Sequence, residues 1–158
     1  RTHRISVNGN LNPYSFLITL VHELAHLVTF MEFGNRVQAH GREWKNSYAH
    51  LLKDFMGREI FPDVVEQALG RSLHNLPASS CADDDLMRVL RQFDRQSDGM
   101  VMVEQLAEGA LFDIGEQRIF KKGKKLRKRY QCIEVKTGKL YLFSPVYEVR
   151  ACIGSPAM

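Results

Sequence analysis

The hydrophobic period of this chain changes once, and that change constrains the fold more than any other feature. Up to about Gly99 the apolar residues recur at three and four positions, the spacing of helices with one buried face; beyond it they alternate, the spacing of half-buried strands. Asn12 before Pro13 is a helix start, a capping side chain ahead of a proline at the first helical position. Phe16, Leu17, Leu20, Val21, Leu24, Leu27, Val28 and Met31 then predict a helix over 13–33, stopped by Gly34. Further helices are predicted from Gly41 to Met56, from Pro62 to Asn75, and from Asp83 to Asp94, the last with three acids in its first turn, where the helix dipole favours them. A short strand over 4–8 precedes them, with a turn at Gly9-Asn10. After Gly99 strands are predicted at 101–103, 111–114, 129–135 and 139–149, with Lys136-Thr137-Gly138 as a tight turn. Helices followed by strands make an α+β fold, divided into 1–99 and a β-rich extension over 100–158.

A chain of 158 residues fits one ordinary domain with a small appendage, and 44% apolar with 25% charged residues excludes disordered and collagen-like classes. The most apolar stretch, Phe16 to Met31, holds two histidines and a glutamate, so it is expected to be too short and too polar to cross a bilayer. Three cysteines, Cys81, Cys132 and Cys152, are an odd number without CxxC spacing. With no secretory leader pattern at the start of the sequence, the expectation is a reducing cytoplasmic compartment. The net charge of +4 conceals an asymmetry, because residues 1–109 hold 11 Lys/Arg against 14 Asp/Glu, whereas residues 110–158 hold 11 against 4. One end is therefore suited to a polyanion and the other to a different task.

The first helix contains His22-Glu23-Leu24-Ala25-His26, an HExxH. At 3.6 residues per turn its two imidazoles leave the same face one turn apart, close enough to share one tetrahedral ion. Glu23 falls beside that ion, where a carboxylate takes a proton from an activated water without being a ligand. A catalytic zinc needs three protein donors and an open position. His40 is the best third donor: thirteen residues separate it from His26, and it stands immediately before the second helix, which can pack across the first and carry it to the metal. Glu43 is the rival third ligand. In His40-Gly41-Arg42-Glu43-Trp44 the tryptophan is expected to anchor the core beneath the site, whereas Tyr48 is a residue that could face the cleft and assist an oxyanion.

The HELAH helix, its spacing to HGREW and the helices that follow resemble the SprT-like family of zinc metallopeptidases, which includes the DNA–protein crosslink protease Spartan. The specific motifs cover about residues 5–60. The resemblance implies a zincin-type helical core, one catalytic Zn2+ held by His22, His26 and His40, and Glu23 as the general base. It also implies helices and a strand ahead of the position of Arg1. Many SprT-like proteins end in a zinc ribbon with two pairs of closely spaced cysteines; here Val135 stands where a partner for Cys132 is expected and Cys152 has no neighbour. The extension is thus expected to resemble a metal-free ribbon of hairpins, with Cys132 and Cys152 as core or edge residues.

Eight of the twelve residues from Arg118 to Arg129 are basic and none is acidic: Arg118, Lys121, Lys122, Lys124, Lys125, Arg127, Lys128 and Arg129. On a hairpin or loop this density suits a phosphate backbone, with Phe120, Tyr130 and Tyr141 near enough to stack on exposed bases. The expectation is a cytoplasmic, nucleoid-associated zinc metallopeptidase acting on protein or peptide attached to DNA, with no membrane partner. The alternative is a non-catalytic DNA-binding module that keeps zinc as a scaffold.

Overall fold

The computed structural model describes residues 3–74, 83–95 and 99–152. The chain divides into two compact units, Arg1–Arg95 and Gln96–Met158. Helices occupy the first and an antiparallel sheet the second, which makes the protein α+β.

In the helical unit, α1 runs Pro13–Phe33. The Asn12 side chain accepts from Ser15 N at 2.9 Å, and Pro13 occupies the first turn, where no N–H is needed. Gly34 ends the helix at φ 62°, a left-handed conformation that a Cβ would oppose. Ile18, Val21, Ala25 and Thr29 form its buried stripe. Helix α2, Arg42–Lys53, lays Trp44, Tyr48 and Leu52 against α1, and Thr29 Oγ1 donates to Ser47 Oγ at 3.3 Å across the pair. Helices α3, Asp63–His74, and α4, Asp84–Arg91, complete the core with Val65, Ala68, Leu69, Leu86 and Leu90. The Asn12 amide joins the two ends of this unit, donating to Leu90 O at 3.0 Å and to Asp94 Oδ1 at 2.6 Å.

Several boundaries differ from the sequence expectation. Residues 4–8 form no strand, and among the described residues of this unit no strand offers a ladder to their backbone, although the turn at Gly9-Asn10 is present. Helix α2 stops at Lys53 rather than Met56, and α4 at Arg91 rather than Asp94; both unwind into turns before the predicted stop. Asn75 and Cys81 lie outside the described residues. By length and mean hydropathy, 1.4 over its most apolar window, the segment Pro13–Arg36 is apolar enough to cross a membrane, which corrects the expectation drawn from Phe16 to Met31. Its buried stripe packs here against α2.

The second unit is a six-stranded sheet in the order β1-β6-β2-β3-β4-β5. Its strands are β1 Met100–Met102, β2 Leu111–Asp113, β3 Ile119–Leu126, β4 Arg129–Glu134, β5 Leu140–Phe143 and β6 Glu148–Ala151, all paired antiparallel. Val103 enters a 3₁₀ turn instead of extending β1, and the span 139–149 divides into β5 and β6 around Pro145, which has no N–H to give a ladder. The basic segment lies on a hairpin, one of the two forms expected for it, and its first arm, β3, which the alternation did not predict as a strand, is the longest strand of the sheet. Phe112, Phe120, Cys132, Phe143 and Val149 fill the core, with Phe112 stacked on Phe120 at 5.7 Å and Phe143 edge-on to Phe120 at 5.0 Å.

Candidate metal centre

Helix α1 projects His22 and His26 one turn apart, and His40, held at the entry to α2, closes on them. His26 Nε2 lies 3.1 Å from His22 Nε2 and 3.0 Å from His40 Nε2. The three ligand atoms lie within 4.8 Å of one another. Imidazole nitrogens bound at about 2.0–2.1 Å in a tetrahedral site stand roughly 3.3 Å apart, so the observed separations fit one shared ion. They do not fit a closed hydrogen-bonded trio, because a ring nitrogen carries either a proton or a lone pair, and His26 Nε2 cannot donate to one neighbour while accepting from the other. The three histidines could hold a metal ion, with room in its shell for a fourth ligand that no other of the described His, Cys, Asp or Glu residues supplies. Glu43, the rival ligand, is not part of this cluster; it stands in the first turn of α2 with Arg42 Nη2 at 4.0 Å.

Burial sets the protonation state of the two α1 histidines. It pushes the His22 imidazole below its ordinary value, with help from His26 and His40, and it does the same to His26, with help from His40. Both rings then present free lone pairs near neutral pH. The Glu23 carboxylate acts in the opposite sense on both, raising their proton affinity, which puts its charge beside the cluster.

The floor of the site is Trp44, fully buried, with ring centroids 4.8 Å from His22, 5.2 Å from His26 and 4.8 Å from His40. Tyr48 stacks beneath it at 5.0 Å and 10°. The anchor role expected for Trp44 is what the structure has. Tyr48, considered as a cleft residue, is instead 2% exposed and part of the core. The i,i+4 spacing of two aromatics was the signal that places both on one helix face.

In the sheet unit the eight basic residues separate into two groups. Lys122 is buried: its Nζ donates to Leu106 O and to Glu104 O and lies 4.2 Å over the Tyr130 ring, and burial pushes its amine down. Arg118 donates to Glu134 Oε1 at 2.7 Å and lies 5.2 Å over Phe120. That bond raises its affinity for its proton, while Thr137 first and then Arg118 hold the Glu134 carboxyl down. Phe120, expected near bases, is wholly in the core. Lys121, Lys124, Lys125, Arg127, Lys128 and Arg129 are exposed. Strand parity could have found the inward pair, since Phe120 and Lys122 share a face. Of the cysteines, Cys132 is buried on β4 and Cys152 lies partly buried just past β6.

Residues 4–60 match the SprT-like family. Protein SprT of Pseudomonas putida F1 is 33% identical over 70 residues, 44% of this chain and 29% of that protein. Protein SprT of Pseudomonas fluorescens SBW25 is 32% identical over 83 residues, 52% and 46% of the two chains, and that of strain Pf0-1 is 27% identical over 101 residues, 64% and 60%. Each of these matches takes in less than two thirds of the relative's own length. No solved structure matches the chain significantly.

Proposed function

Because this chain belongs to the SprT-like family through residues 4–60, we propose that it is a zinc-dependent metallopeptidase of the zincin type that hydrolyses peptide bonds in proteins attached to DNA. The convergence of three imidazole nitrogens, 3.0 and 3.1 Å apart at the central ring, is the observation that carries the reading. A zinc ion held by His22, His26 and His40 would supply Lewis-acid polarisation of the scissile carbonyl and acidify a water at neutral pH. Glu23, adjacent in sequence to His22 and electrostatically coupled to both α1 histidines, accepts the proton of the attacking water and returns it to the leaving amine. Trp44 keeps the three rings on an apolar floor, so they need little reordering before the reaction. The exposed cations of β3 and β4 hold the enzyme on the phosphate backbone through interactions that carry no sequence information.

Glu23→Gln tests the assignment. The variant should retain stoichiometric zinc and its fold while proteolysis falls by about a hundred- to ten-thousand-fold, the range lost with a general base. Near-normal turnover would put the base elsewhere. A wild-type protein that binds zinc and DNA yet cleaves no protein substrate would favour the scaffold alternative.

A further inference from the structure

The hairpin joining β3 to β4 changes character partway along. Up to Lys122 the strand alternates in the ordinary way, with Phe120 and Lys122 turned into the core. The pairing register then shifts between Lys122 and Lys125, and at Gly123 the partner strand comes so near that an added Cβ would stand 2.5 Å from Gln131 O. Such a bulge bends a ribbon and sharpens its twist. Beyond it Lys124, Lys125, Leu126, Arg127, Lys128 and Arg129 are all exposed, on both faces of the ladder alike. The tip is thus a two-stranded arm standing clear of the core.

Two features of that arm call for a ligand. Arg127, first of the two turn residues, holds φ 50°, where glycine would sit without strain. A large cation is kept there at a conformational cost. Leu126 is 49% exposed, and its cross-strand neighbour is Arg129, so no apolar side chain covers it on the ladder. An apolar residue at the end of a narrow cationic ribbon is the arrangement with which proteins part a base step from the minor groove, the flanking cations lying along the two phosphate strands.

We propose that this hairpin binds duplex DNA in the minor groove and inserts Leu126 as a wedge between adjacent base pairs, kinking the duplex. The proposal rests on the DNA-binding reading above and specifies its mode. Single-strand recognition would need aromatic platforms, and the hairpin has none to give: Phe120 is in the core and Tyr130 is covered by Lys122 at 4.2 Å and Lys125 at 5.6 Å. A membrane surface is the other polyanion that takes a cationic tip, but one leucine offers too little apolar area for stable insertion.

The test uses the full chain and a short duplex carrying 2-aminopurine beside a TA step, with dyes at its two ends. Wild-type protein should raise the 2-aminopurine fluorescence and bring the ends together. Leu126→Ala should bind about tenfold more weakly, with unchanged salt dependence, and lose both optical signals, whereas Leu126→Met should keep them. Binding by the wild type with no unstacking signal, or a Leu126→Ala protein that still gives one, would overturn the wedge and leave the DNA reading standing. No binding to any DNA would instead bring down that reading. Leucine-dependent binding to phosphatidylserine vesicles in place of the duplex would assign the tip to a membrane and overturn the proposal.

Discussion

Three histidines on two elements share one point in space because each is fixed by something other than a metal. His22 and His26 are set by the rise of α1, and His40 by the N-terminus of α2, with Trp44 under all three. Removing one donor leaves two, too few to hold zinc against competing ligands in solution. His26→Ala and His40→Ala should therefore each abolish stoichiometric zinc in purified protein, measured by metal analysis, while the helical content by circular dichroism stays near the wild type. Full metal retention in both variants would refute the site. His22 and His26 were legible in the sequence because helical spacing is arithmetic, positions four apart sharing a face, whereas His40 was legible only from its place just ahead of the second helix. Lys122 was not, since a run of eight cations hides which of them the pleat turns inward, and only the parity shared with Phe120 marks it.

Between residue and molecule, the element most exposed to a single change is α1, whose start depends on one side chain. Asn12 accepts from Ser15 N, closing the first turn, and its amide also occupies Leu90 O and Asp94 Oδ1 at the end of α4. Asn12→Ala removes the cap and the amide's bonds to Leu90 O, which still accepts from Phe93 N, and to Asp94 Oδ1; together these losses cost about 1–2 kcal/mol. Urea unfolding of the metal-free protein should show stability lowered by that amount, and an unchanged midpoint would mean that water replaces the side chain. The capping role follows from Asn-Pro ahead of an apolar stripe, whereas the tie to α4 spans 78 residues and no local pattern encodes it. The same distinction explains the strands. Their alternation gave their existence, but β3 was hidden by lysines, which keep period two in a sheet only through what they touch. The 4–8 segment alternates but has no partner strand among the described residues, and it stays irregular.

At the scale of the molecule, chemistry and charge fall in different parts of the chain, with the metal residues in Arg1–Arg95 and the exposed cations of the basic run in Gln96–Met158. Under the proposed function the exposed cations are a tether that acts on encounter rather than on chemistry: with enzyme and target protein on one DNA, the second meeting becomes intramolecular, at an effective concentration on the order of millimolar. The cations then matter only for substrates that are also on the DNA. Reversing Lys121, Lys124, Lys125 and Lys128 to Glu leaves the buried Lys122 and the Arg118–Glu134 pair in place, so the sheet should survive. Every phosphate that is no longer neutralised lowers the slope of log affinity against log salt by about 0.7–0.9, so the four-fold variant should bind every DNA sequence more weakly and with a flatter slope. Zinc content should not change, and cleavage of a free unstructured peptide should continue at the wild-type rate while cleavage of a DNA-attached protein is abolished. An intact affinity and slope would make the exposed cations a solvated face, and an equal fall on both substrates would mean that they act on catalysis rather than on encounter.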